Sequence, residues 1–87
     1  MSQAAPLASR LALYPNPNSG QFRLDVSNLS QAVDLHIYDA TGRWLGSREQ
    51  VRGQVSLDLR DFGHGPGLYV LRVQVGEEFT ALRVVWE

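Results

Sequence analysis

These 87 residues contain no cysteine and no lysine. Without cysteine there is no disulfide, no thiolate metal site and no cysteine nucleophile, although an oxidising compartment stays open, because an exported domain can do without disulfides. All eight basic residues are arginine, against nine acidic ones, for a formal charge of −1. They form no basic run, which argues against a nucleic acid partner. The arginine-only usage reads as coding bias, its physical consequence being firmer planar ion pairs. Residues 1–13 lack the apolar core of roughly 7–15 residues that follows a positive start in a secretory signal. The protein is therefore either cytosolic or a piece of a larger precursor whose export signal lies elsewhere. With 44% hydrophobic and 20% charged residues, composition argues against both disorder and membrane insertion. No segment repeats apolar residues at spacings of 3, 4 and 7 for long enough to make a helix of about three turns.

What is present is alternation. Gly67 to Val75 holds the longest apolar run and is greasy on both faces in its first half, as a central strand is, with glycines at either end. Phe22, Leu24 and Val26, then Val33, Leu35 and Ile37, then Val55, Leu57 and Leu59 alternate with polar residues as half-buried strands do. Asp39-Ala40-Thr41-Gly42 fits a type I turn closed by a left-handed glycine, pairing 33–38 with 43–49. Val51 to Gln54 reads as another turn, Asp61 to Pro66 as a glycine-rich loop, and Gly76-Glu77-Glu78 as a tight hairpin leading into Phe79 to Trp86. Leu11 and Leu13 start a short extended piece. The Tyr14-Pro15-Asn16-Pro17 arm after it is stiff, since each residue before a proline is held extended, and it enters a turn at Asn18-Ser19-Gly20. About seven strands with half their faces apolar need a second layer, so the expected fold is an all-β, Ig-like antiparallel β-sandwich. Residues 1–10 read as a flexible linker remnant with little fixed structure, and 11–87 as the domain.

Candidate chemistry is sparse. Asp34 and His36 share a strand face, and Ser56 or Asp58 would neighbour them across a sheet, but these are flat outward positions with no nucleophile turn and no oxyanion donors. The least unfavourable calcium site is the Asp58–His64 loop, and the glycines around Pro66 precede a strand, so they make no phosphate cradle. No catalytic residue, metal or cofactor is expected. Tyr14, Tyr38, Trp44, Tyr69 and Trp86 would suit sugar stacking, although Tyr69 and Trp86 fall in apolar strands where packing is the commoner fate. An adhesion or carbohydrate-binding module is accordingly the alternative reading.

The order Tyr14-Pro15-Asn16-Pro17 with Gly20 and Phe22, Val33–Tyr38 running into Asp39–Arg43, Leu57 with Leu59, Gly67 to Val73 and a closing strand resembles the C-terminal sorting domain of the type IX (Por) secretion system over residues 11–87. The resemblance implies an Ig-like sandwich that acts as an address on a larger cargo protein in the same precursor. Its implied partners are the outer-membrane translocon and a sortase-like peptidase, with transit through the periplasm to the cell surface or the medium. It places the sorting motif at Tyr14, Pro15, Asn16, Pro17, Gly20, Gly42, Gly67, Tyr69 and Arg83. The candidate cleavage region is Ala5, Ala8 and Ser9 in the lead-in. Family members often carry lysine in the last strand, where this chain has Arg83 followed by Trp86 and Glu87. That strand is expected to close the core and, as a monomer's terminal strand, to present an unpaired backbone edge.

Overall fold

The computed structural model describes residues 6–62 and 65–87. Its seven strands are β1 (Ala12–Tyr14), β2 (Gln21–Asp25), β3 (Val33–Asp39), β4 (Trp44–Val51), β5 (Gln54–Asp58), β6 (Gly67–Val75) and β7 (Glu78–Trp86). They form two antiparallel sheets, ordered β1-β2-β5 and β4-β3-β6-β7. The first, second and fifth strands facing the third, sixth and seventh is the immunoglobulin-type partition, with β4 added beside β3. The expected sandwich and its strand number are both present.

Alternation decides the layers. Phe22 and Leu24 of β2, Leu57 of β5, Val33, Leu35 and Ile37 of β3, Tyr69, Leu71 and Val73 of β6 and Val84 of β7 are buried in one cluster with Val26 and Leu59. β6 lies between β3 and β7, the central place that its two-faced apolar start requires. The β3–β4 loop has the expected form: the Gly42 amide donates to the Asp39 carbonyl at 3.0 Å and Gly42 sits at φ +89°. Asp39 tightens it further, its carboxylate accepting from the Thr41 and Arg43 amides at 2.9 and 3.0 Å. These bonds, that of the Thr41 hydroxyl foremost, hold the Asp39 carboxyl below its usual pKa.

The expected turn at Val51 to Gln54 carries the chain from one sheet to the other, since β4 and β5 are not neighbours. Two readings need correction. The segment after β5 is a one-turn 3-10 helix, Leu59–Phe62, with Leu59 fully buried, where a strand reaching Leu59 and a loop from Asp61 were expected. The lead-in is also not wholly loose. Leu7–Arg10 forms another one-turn 3-10 helix in which Leu7 is only 5% exposed, and Arg10 lies 3.6 Å from Glu78 of β7. A lone leucine among small residues has no periodicity to announce its burial, yet here it is buried on a turn that lies against β7.

Phe62 packs against the core, its ring lying on Gly46 of β4. A Cβ at Gly46 would meet Phe62 Cδ1 at 2.8 Å, so only glycine admits the ring.

Candidate functional site

The residues expected to form the sorting motif gather at one end of the molecule, where β7 finishes. The arm after β1 leaves the three-stranded sheet and runs along the last residues of β7. Both bonds that precede its prolines, Tyr14-Pro15 and Asn16-Pro17, are cis. Proline has no amide hydrogen, so positions 15 and 17 cannot donate to a neighbouring strand. The Asn16 carboxamide supplies the missing groups. Its Nδ2 donates to the Arg83 carbonyl at 2.8 Å, and its Oδ1 accepts from the Val85 amide at 2.9 Å, so the side chain does what a strand's peptide unit would do. Asn18 continues the contact through its backbone, donating to the Val85 carbonyl and accepting from the Glu87 amide, both at 2.8 Å.

Asn18 is also the buried polar residue of this corner, at 7% exposure. Its side chain is satisfied locally: Oδ1 accepts from the Gly20 amide at 2.9 Å and Nδ2 donates to the Pro15 carbonyl at 3.2 Å. The expected Asn18-Ser19-Gly20 turn is therefore an Asx turn. Gly20, at φ +109°, brings its backbone onto the indole of Trp86, where an added Cβ would stand 3.1 Å from Cε2. Trp86 in turn packs on Tyr69, ring centroids 6.2 Å apart and tilted by 31°. The Tyr69 hydroxyl donates to the Gly65 carbonyl, and burial first, then the Asp39 charge, raises its pKa.

Of the expected motif residues, Asn16, Gly20, Gly67, Tyr69 and Arg83 thus meet around Trp86 and the end of β7, Gly67 lying opposite Trp86 in the register. Pro15 and Pro17 frame Asn16. Gly42 is at the same end of the four-stranded sheet, in the β3–β4 loop, with nothing within 4 Å of an added Cβ. Tyr14 is 41% exposed and, with Pro15, borders an open groove of about 640 Å³ that also involves Gln21, Arg23, Ser56 and Asp58.

The edge of β7 is not bare. Asn16 and Asn18 occupy its outward groups at Arg83, Val85 and Glu87, so the unpaired terminal edge expected from the sequence is already filled at its C-terminal half. Arg83 is exposed in its side chain, while its carbonyl is spent on Asn16. In the cleavage region, Ala8 and Ser9 are exposed but stand on the Leu7–Arg10 turn, where the Ser9 amide donates to the Pro6 carbonyl at 3.0 Å. Ala5 lies outside the described residues.

This chain matches the family model described as Secretion system C-terminal sorting domain over residues 12–87. It belongs to that family. The match spans every strand of the sandwich, including both partners of the Asn16 contact. Export to the cell surface or beyond is what such a domain serves. A solved structure from Porphyromonas gingivalis, PorZ, described as an essential bacterial surface component of the type IX secretion system, shares the fold with a TM-score of 0.71 and 23% identity, covering 91% of this chain and 12% of that one. The sorting domain here thus corresponds to about an eighth of that neighbour's length. No curated protein matches.

Other candidate groups do not converge. Asp34 and His36 stand on the four-stranded sheet and Ser56 and Asp58 on the three-stranded one, so they are not neighbours across a sheet. The Asp34 carboxylate accepts from the Gln50 amide at 3.1 Å. Asp58 is held by Arg60, whose Nη2 lies 2.7 Å from Oδ2, and these bonds keep its carboxyl far below the usual range. His64 of the proposed calcium loop lies outside the described residues. The five aromatic residues do not share one platform: Tyr69 is in the core, while Trp44 pairs with Tyr38 across β3–β4 and is 56% exposed.

Proposed function

We propose that the chain is the address of a larger exported polypeptide, carrying a cargo domain joined to its N-terminal side through the periplasm to an outer-membrane translocon for release or surface attachment. The observation that carries this reading is the family match over the whole sandwich. The convergence of the motif on the end of β7 supports it, because it gives these residues a physical role in building one end of a folded recognition unit. The domain needs no catalytic residue or cofactor for this role, and it acts as a monomer.

Processing by a sortase-like peptidase falls N-terminal to Leu7. A cut after Ala8 or Ser9 would have to lift a turn whose leucine is buried, whereas a cut upstream of Pro6 leaves that turn intact. Mass spectrometry of released cargo is expected to find its last residue upstream of Leu7, and a last residue at Ala8 or Ser9 contradicts this placement.

The function itself is tested by fusing the 87 residues behind a reporter carrying its own periplasmic signal, in a bacterium with a working type IX system. Reporter outside the cell, dependent on that system, is the expected result. A folded fusion retained in the periplasm overturns the proposal.

A further inference from the structure

We infer that the peptidase separating cargo from this domain sets its cut by distance from the folded end where the chain enters the sandwich, and not by the sequence of the lead-in or by contact with the motif. The inference rests on the export reading above and concerns what fixes the cleaved bond.

The entry point is sharply defined. The Pro6 carbonyl accepts twice from Ser9, from its amide at 3.0 Å and from its hydroxyl at 2.8 Å, and the Leu11 amide donates to the Ala8 carbonyl at 3.3 Å. Leu7 is buried on this turn, and Arg10 lies 3.6 Å from Glu78 at the start of β7. From the Pro6 carbonyl onward the backbone is therefore held in a turn that its own leucine anchors. A cleft that takes its substrate as an extended strand pairs with the main chain, and a turn closed on itself cannot supply that main chain. Pro6, at φ −53° and ψ 148°, is the last extended residue before the turn, so the backbone that can be drawn into such a cleft ends there.

The lead-in offers little else to read. Residues 2–5 are Ser2, Gln3, Ala4 and Ala5, with no aromatic, branched or charged side chain. A pocket separates one small side chain from another only weakly, so sequence alone would not single out one bond. The motif is too distant to serve as the landmark. The turn lies against the start of β7 and the motif gathers at its end, with nine residues of strand, about 27 Å, between them. An extended segment would need about eight residues to cover that distance. The part of the domain that a peptidase abuts while the upstream chain lies in its cleft is therefore the Leu7–Arg10 turn with the β6–β7 hairpin beside it, where Gly76 also approaches Gln31 of the loop before β3. The motif end stays open to a second partner at the same time.

The test uses the reporter fusion in a bacterium with a working type IX system and reads the last residue of the released reporter by mass spectrometry. Six Gly-Ser residues inserted between Ala5 and Pro6 leave every contact of the sandwich in place. The cut is then expected at the same number of residues before Leu7 as in the parent fusion, and so at a different bond. Replacing residues 7–10 with Gly-Ser-Gly-Ser removes the turn, and in that variant, with a melt showing the sandwich folded, the cut should move toward β1 by about the four residues of the turn. A cut that keeps to its original bond in the insertion variant, six residues farther from Leu7, would overturn the inference, as would reporter that is exported but never cut. A parent fusion that stays inside the cell would instead overturn the export reading, and this inference with it.

Discussion

Replacing Asn16 with alanine removes two hydrogen bonds at once, those to the Arg83 carbonyl and from the Val85 amide. Each such bond contributes about 0.5–1.5 kcal/mol net, and because both are exposed to solvent the lower half of that range applies, for a total of about 1–2 kcal/mol. In a domain of this size that corresponds to a fall in Tm of roughly 4–16 °C. Urea unfolding should show a lower midpoint with an unchanged slope, since the surface buried on folding hardly differs. The local signature is sharper. Hydrogen exchange at the Val85 amide should quicken more than at core amides such as that of Leu71, because only the former loses its acceptor. Asn16→Asp keeps the acceptor for Val85 but turns a second oxygen toward the Arg83 carbonyl, so it should not restore stability. A loss within about 0.5 kcal/mol, the range of an ordinary surface change, together with unaltered protection of Val85, would refute the view that this side chain stands in for a strand.

Gly46→Ala should destabilise by about 1–3 kcal/mol because its methyl displaces the Phe62 ring, whereas Gly42→Val should cost about 1–2 kcal/mol through its positive φ alone; equal chemical denaturation midpoints for wild type and Gly46→Ala would contradict the packing account. Leu7→Ala should cost about 2–3 kcal/mol and make the segment before β1 sensitive to limited proteolysis, and an unchanged melt would mean that the turn contributes nothing to the core. Asp25, Asp39 and Asp58 all have lowered pKa values in the folded state, chiefly through side-chain hydrogen bonds from Ser27, Thr41 and Arg60. Their contribution is fully present above the unfolded value of about 3.9 and is lost as pH falls below it toward the folded values, so stability should hold from neutrality to about pH 5 and then decline. In Asp39→Asn that acid decline should be shallower, and an identical pH profile would argue against the Thr41 and Arg43 contacts.

The strands were legible because burial on one face imposes a period of two, and Phe22-Leu24, Val33-Leu35-Ile37 and Leu71-Val73 carry that period openly. The Asp39–Gly42 loop was legible because its chemistry is local to five residues. Periodicity says which face is buried but not which strand lies alongside, so the crossing at Arg52-Gly53 and the separation of His36 from Ser56 were invisible. The Asn16 contact spans 67 and 69 residues of sequence, and nothing near Asn16 names its partner. One sign was nonetheless present. An asparagine between two prolines sits where the backbone cannot donate, and its amide is the natural substitute. Gly46 and Phe62 are likewise a pair that only the folded chain brings together.

The central claim is that the motif acts by building the end of β7, so the most direct measurement pairs export with stability. Asn16→Ala, Gly20→Ala and Tyr69→Phe are placed in the reporter fusion, and the exported fraction is compared with the fraction of each variant folded at the growth temperature. Export should fall in step with folding, and conditions or second-site changes that restore the fold should restore export. A motif variant that melts like the wild type yet leaves the reporter in the periplasm would contradict the claim, because that side chain would then be read directly by the export machinery.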